Sequence, residues 1–455
     1  MPATPTRSKL GLLAALGLAQ LLIGLDYNIV FVALPDIAGL GFSPQTLQWV
    51  VSAYAIAFGG FLLLFGRLTD ALGRRRMFAV GLSLFALGSA FGTIAVGEWM
   101  LIAGRGIQGL GGAALAPSTL ALLSVGFREG AERNRALGVW GAAGSAGMVL
   151  GSILGGVLTD AWGWRAIFAV NIPLIALIAA LTAIAVPADD GHPRLRGLDA
   201  PGAILTTASA ILLVTGLTLS AESGWTAPAT LLCLGLGLAA IVVMLFVESR
   251  TGNPLLDLGM FRNRHLATGT ASTFLFMAGF GATAYFLTLY LQDTRGLGPA
   301  VTGLAFVIPC LGVLLGTTAG ARLATRYGLR TALVSGQIIG LLGVTGFARF
   351  VRADTEWVTL VALTLVFSLG QGIVFTTMFA TATTGVDESA QGYAGGLATA
   401  GQQIGGAIGL ALLIALTSAV SSPQLTTAMM GIAVIIALGL GVALLVPRTA
   451  AVAPQ

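Results

Sequence analysis

Apolar residues in this chain run in long, nearly unbroken stretches separated by short segments that carry most of the charge. Stretches of about 20 mostly apolar residues, the length needed to cross a hydrocarbon layer, fall at roughly 11–34, 47–66, 77–96, 99–124, 136–158, 166–186, 201–219, 228–247, 267–291, 299–319, 331–349, 358–378, 395–417 and 427–446. Backbone in lipid must satisfy its own hydrogen bonds, so each stretch predicts a helix. The flank of Arg7 and Lys9 is like that of a signal peptide, but the stretch behind it is too long for a signal core and reads as the first membrane span.

Charge placement tests this parse. With the N-terminus in the cytoplasm, the outer segments hold only Arg165, Arg295, Arg349 and Arg352 of the 23 Lys and Arg residues, and Arg105 lies within a span. The remainder sit on the inner side, as the positive-inside rule requires. Both termini are therefore expected in the cytoplasm. The use of arginine almost to the exclusion of lysine, with abundant alanine and glycine, suggests a GC-rich bacterial gene and hence a bacterial plasma membrane.

Composition then sets the class: 56% of residues are hydrophobic and 9% charged, where soluble domains carry roughly a quarter. The 64 glycines read as close helix packing in lipid. A net charge of +5 without a basic stripe or stacking platform argues against nucleic acid. Cys233 and Cys310 lack partners at metal-ligand spacing, so no metal is expected. His192 and His265 fall in segments read as cytoplasmic loops, which leaves no intramembrane histidine relay. The glycines at 106, 109 and 111 follow no strand, and no P-loop is present, so neither nucleotide hydrolysis nor enzyme activity is expected. No cofactor beyond a proton gradient is implied.

An internal repeat organises the spans. GRLTDALGRRR at Gly66–Arg76 is echoed by ARLATRYGLR at Ala321–Arg330, with Arg67, Leu68, Gly73 and Arg75 falling on Arg322, Leu323, Gly328 and Arg330. The fold expected is an all-α integral membrane protein of two six-helix bundles, 1–190 and 256–455, with two linker helices inserted at 191–255.

Candidate chemistry is sparse. Asp26 is the one acidic residue deep within a span, where a charge costs about 2.5–3.5 kcal/mol or more. Desolvation penalises the ionised form of a carboxyl, so Asp26 is suited to take and release a proton. The alternative is a carboxyl with a purely structural role. Arg105, at similar depth in the fourth span, is expected to share one polar cavity with it, and Gln108 follows one helical turn later. In the fifth span Gly144, Gly147, Gly151 and Gly155, with Gly156 beside them, form a smooth seam: either simple packing or a surface on which two halves rock. Gly66, Arg67, Asp70, Gly73, Arg74 and Arg75 read as a topology anchor or as a charge latch at a cytoplasmic turn.

These segments resemble the major facilitator superfamily, in particular its fourteen-span drug:proton antiporters, over essentially the whole chain. GRLTDALGRRR is similar to the family's loop between spans two and three, LIAGRGIQGLGGA to its span-four proton-linked motif, and LDYNIVFVALPDI to the first-span signature carrying the membrane aspartate. WGWRAIFAVNIP, YLQ at Tyr290–Gln292 and GQQIGGAIG from Gly401 are further family-like stretches. One departure is Ser152, which stands where the family's span-five antiporter motif has proline. The resemblance implies export of amphipathic, cationic or neutral small molecules against inward proton flow, by a protein working as a monomer in the bilayer. Candidate cavity residues are Tyr27, Trp49, Tyr54, Phe276, Met277, Tyr285, Gln371, Phe375 and Gln402. Uptake of a small nutrient is equally open to such a fold, whereas a sensor would need a soluble domain that these loops are too short to hold.

Overall fold

The structure, a computed structural model, describes residues 6–128, 131–186, 200–250, 258–352, 354–386, 391–418 and 424–447. Fourteen of its helices are long and apolar enough to cross a membrane. They are span 1 (Lys9–Ala38), span 2 (Trp49–Thr69), span 3 (Arg74–Thr93), span 4 (Glu98–Gly126), span 5 (Val139–Trp162), span 6 (Ala166–Ala185) and span 7 (Ile204–Ala221). Span 8 (Pro228–Arg250), span 9 (Arg264–Thr294), span 10 (Pro299–Tyr327), span 11 (Leu329–Phe350), span 12 (Trp357–Thr383), span 13 (Ala394–Ser418) and span 14 (Leu425–Leu445) complete the set. The segment around residues 201–250 thus contributes two spans, as its hydropathy implied. Exposed Trp99, Trp162, Trp225 and Trp357 all sit at span ends that the arginine asymmetry assigns to the outer side, where the amphipathic indole suits the lipid headgroup region.

Two compact units form. The first contains residues up to Ser43, Trp49–Ala200 and Gly298–Leu304; the second contains Pro44–Gln48, Pro201–Leu297 and Ala305 onwards. Spans 7 and 8, expected to stand apart as a linker, group with the second unit. There they pack on each other at Gly216 against Leu234 and Gly237 against Leu213. Thr218 of span 7 also accepts a 2.7 Å bond from the amide nitrogen of Gln48, which brings the short helix Pro44–Leu47 into that unit. His265, expected in a loop, lies in the first turn of span 9, whose N-terminus is capped by the Asn263 side chain accepting from the His265 and Leu266 amides.

The sequence repeat is a repeat of backbone geometry. Span 2 gives way to span 3 at Gly73 (φ 111°), and span 10 to span 11 at Gly328 (φ 84°). Gly73 N–H donates to Thr69 O at 3.2 Å and its carbonyl accepts from Met77 at 3.1 Å; Gly328 N–H donates to Ala324 O at 2.9 Å and its carbonyl accepts from Ala332 at 3.2 Å. Positive φ of this kind is a glycine conformation, so both turns need the residue they have.

Glycine ladders also recur. In the first unit a Cβ at Gly147 or Gly151 would run into the backbone carbonyl of Leu21 or Leu25, and one at Gly155 would come within 2.6 Å of Ile29 O. In the second unit Gly405 and Gly409 bear in the same way on Phe274 and Ala278 of span 9, while a Cβ at Gly401 would lie 3.3 Å from Thr270. Spans 5 and 13 therefore ride backbone-to-backbone on spans 1 and 9. The span-five seam at Gly147, Gly151 and Gly155 faces span 1 within its own unit. Gly156 alone of the set turns elsewhere, where a Cβ would lie 2.5 Å from Pro299 O and 2.9 Å from Ala300.

Span 5 lies within one continuous helix, Ala131–Trp162. Ser152, in the position of the family's proline, sits with Oγ 3.3 Å from Met148 O, and Asn28 of span 1 donates to that same carbonyl at 3.0 Å. With serine here the backbone amide is kept and no proline kink is imposed.

Candidate functional site

Close approach of backbones builds the site. Spans 3 and 4 meet at Gly88 and Gly104, where a Cβ on Gly88 would lie 2.5 Å from Gly104 O and 2.6 Å from Gln108 Cγ. Spans 2 and 4 meet where Gly109 fits against Tyr54 O and where a Cβ on Gly112 would lie 3.1 Å from the Tyr54 hydroxyl. These contacts, with the ladder of span 5 on span 1, bring polar side chains from five spans to one point inside the first unit.

Asp26 is at its centre, 0% exposed. Its Oδ2 accepts from Arg105 Nη1 at 2.6 Å, and its Oδ1 accepts from Gln108 Nε2 at 3.0 Å and Asn171 Nδ2 at 2.8 Å. Arg105, 2% exposed, also donates from Nη1 to Gln108 Oε1 at 2.8 Å and from Nε to the span-2 carbonyl of Val50 at 2.8 Å. Its guanidinium carbon lies 4.5 Å above the ring of Tyr54. Ser89 of span 3 accepts from Gln108 at 2.9 Å and donates to Phe85 O at 2.8 Å.

A buried ion pair survives its desolvation cost only when its remaining donors and lone pairs are well used, and here the carboxylate has three donors and the guanidinium three acceptors plus an aromatic face. All three partners of Asp26 are donors, the set that an ionised carboxylate accepts. Protonation of a carboxylate in such a pair would remove the charge facing the guanidinium, which makes two electrostatic states possible for the cluster.

The sequence pointed to Asp26, Arg105 and Gln108, and the fold brings all three together. It did not single out Asn171 or Ser89. Asn171 lies within the WGWRAIFAVNIP stretch, and the available signal was an amide early in the otherwise apolar sixth span. Span 1 extends to Ala38, which sets Asp26 deeper than its apolar stretch suggested.

The remaining candidates divide between the two units. Tyr54, taken for a cavity residue, is 1% exposed and belongs to the Arg105 cluster. Tyr27 packs edge-on to Phe31 at 5.8 Å, and Trp49 is half-buried at the start of span 2. In the second unit Phe276 stacks on Phe280 at 5.3 Å and meets Phe375 at 5.9 Å; Phe280 reaches Phe367 at 5.0 Å, and Phe375 reaches Phe379 at 5.7 Å. Phe276 and Phe375 are thus two rungs of one aromatic ladder.

Met277 is buried in a π-helical turn (Met277–Gly281) and fills the space beside Gly406. Tyr285 is buried against Phe286, whereas Gln371 and Gln402 are half-buried. Gly66, Arg67 and Asp70 occupy the end of the helix Trp49–Leu72, Gly73 the turn, and Arg74 and Arg75 the start of the next helix. The Asp70 side chain lies outside the described residues.

Residues 16–261 and 269–455 match the Major Facilitator Superfamily. The chain belongs to this family. Among similar members are the puromycin resistance protein pur8 of Streptomyces alboniger, 38% identical over 87% of this chain and 79% of its own length, and the cephamycin export protein CmcT of Amycolatopsis lactamdurans, 36% identical over 89% and 84%. The multidrug resistance protein Stp of Mycobacterium tuberculosis is 36% identical over 90% of this chain and 75% of its own length. A crystal structure of a peptide transporter POT in complex with sulfate shares the fold, with a TM-score of 0.69 at 16% identity over 96% of this chain and 93% of that one. The superfamily places the chain among transporters, and its fourteen spans make it a multi-pass membrane protein.

Proposed function

We propose that this chain exports amphipathic small organic molecules, cationic or neutral, across a bacterial plasma membrane in exchange for protons, with Asp26 as the proton carrier and both termini in the cytoplasm. The observation that carries this reading is the fully buried Asp26–Arg105 pair at 2.6 Å. In a span, an ionisable pair of this kind is costly to keep and is by default a functional site. The names of the relatives, a puromycin resistance protein, a cephamycin export protein and a multidrug resistance protein, favour efflux of organic compounds.

The chemistry follows from the two electrostatic states. With Asp26 ionised, Arg105 is held between spans 1, 2 and 4. On proton uptake Asp26 becomes neutral, and the guanidinium keeps only the Val50 carbonyl, Gln108 and the face of Tyr54. Helices joined through that pair are then free to change their packing, and inward proton flow supplies about 2.3 kcal/mol per charge for each 100 mV, before any pH contribution. The turn at Gly66–Arg75 acts as the conformational latch in this reading, because Gly73 fixes a sharp joint between two spans among several arginines.

The test is drug-dependent proton movement in proteoliposomes, with puromycin and ethidium as probes. Wild type is expected to couple the two flows, while Asp26→Asn binds probe but loses gradient-driven transport and its proton flux by at least roughly tenfold, the size of a general acid–base contribution or less. Unchanged gradient-driven transport by Asp26→Asn would remove the proposed carrier. Probe accumulation in acid-loaded inverted vesicles distinguishes export from uptake.

A further inference from the structure

Asn171 has one unused function at the site just described. It is 0% exposed; its Nδ2 donates to Asp26 Oδ1 at 2.8 Å and approaches Ser89 Oγ at 3.4 Å. Its Oδ1 is buried and has no hydrogen-bond partner among the described residues. A buried carbonyl oxygen left unpaired is costly, so its retention beside an ionisable group calls for a second state in which it is used.

That state is the protonated acid. An ionised carboxylate only accepts hydrogen bonds, whereas the neutral acid has one O–H to give. Of the acceptors around Asp26, Gln108 Oε1 already receives Arg105 at 2.8 Å. Ser89 Oγ receives Gln108 at 2.9 Å and gives its own proton to Phe85 O. Asn171 Oδ1 receives none. A half-turn of the amide about its last side-chain torsion exchanges oxygen for nitrogen and presents that oxygen to Asp26. The other charged or titratable groups at the site are Arg105 on span 4, Tyr54 on span 2 and Tyr27 on span 1; the last two are near enough to Arg105 to feel its charge. Ser89 on span 3 is neutral.

We infer that Asn171 is a two-state positioning residue, which donates to ionised Asp26, accepts from protonated Asp26 and so sets the proton affinity of the site. The inference rests on the reading of Asp26 as proton carrier. On this reading, removal of Asn171 lowers the proton affinity. Without Asn171 the ionised form loses one of three donors and keeps Arg105 and Gln108, whereas the neutral form loses the acceptor offered to its single O–H. Proton affinity therefore falls. A residue that served only as a donor to the carboxylate would have the opposite effect on removal, because the ionised form alone would lose a bond.

Infrared difference spectroscopy of the purified full chain in lipid nanodiscs follows the carbonyl stretch of the protonated acid through a pH titration, and Asp26→Asn assigns the band. In Asn171→Leu the midpoint is expected to move to lower pH by about one unit. Asn171→Val carries the same expectation if leucine disturbs folding. A midpoint that rises or stays in place overturns the two-state role and leaves the carrier intact. A titration in which no band depends on Asp26 overturns both.

Discussion

At Gly73 in the first unit and Gly328 in the second, the chain makes the same joint with matching backbone hydrogen bonds, and a glycine ladder rides on span 1 in the first unit and on span 9 in the second. The interiors differ. The register that pairs Gly73 with Gly328 also pairs Lys9 with Arg264 and Asp26 with Gly281. Where the first unit has a carboxylate with three donors, the second has the last residue of a π-helical turn beside a ladder of five phenylalanines. Joints recur because backbone geometry demands glycine in both places. The Asp26–Arg105 pair does not recur at the matching position, because each buried ionisable group carries a large desolvation cost that only a complete set of partners offsets. In the proposed transport cycle this assigns proton work to the first unit and leaves the second to apolar and aromatic contact.

The largest effect that would test this division is on the ion pair. Arg105→Ala leaves a carboxylate buried without its cation and is expected to destabilise the protein by about 3–5 kcal/mol, read as loss of thermal stability in detergent. Adding Asp26→Asn should recover much of that loss, since the pair and not the arginine's bulk is at stake. A double variant no more stable than Arg105→Ala would argue that the two side chains act separately.

Next in size, Gly73→Ala and Gly328→Ala each force a side chain into a region of positive φ, at about 1–3 kcal/mol. The two losses should be similar if the joints are structural equivalents. If only the first also slows transport, the latch is confined to the first unit; equal slowing would make both joints part of the motion.

The smallest effect lies at the membrane surface. The 2.7 Å bond from Lys9 holds the Glu132 carboxyl below its ordinary value; partial burial opposes this, and the Arg128 amide adds to it. A depressed carboxyl contributes stability above its unfolded value and loses it as pH falls through the folded one. Glu132→Gln should therefore match wild type in acid and fall slightly below it at neutral pH, since exposed pairs contribute little. Thermal scans at several pH values check this, and a gap that widens in acid would contradict it.

Fourteen spans and the repeat were legible along the chain, because lipid imposes a length on every crossing helix and a cost on every misplaced charge. For the same reason Asp26 and Arg105 stood out: a charge within a span is rare. Neutral polar groups carry no such signal. Ser118, Thr119 and Thr182 also sit in spans, yet their hydroxyls bond back to carbonyls of their own helices, a local arrangement open to any serine or threonine. Ser89 bonds back too, to Phe85 O, and only the crossing at Gly88 and Gly104 also brings it to Gln108.

By itself, then, the sequence determined the number of crossings, the doubled scaffold and the pair of buried charges, all of which follow from the exclusion of water and ions by hydrocarbon. Only the tertiary structure decided that Asn171 and Ser89 complete the site, that Tyr54 serves Arg105, and that the span-five glycines face span 1. Those outcomes depend on which helix faces meet and at what depth, which is set by contacts between residues far apart in the chain.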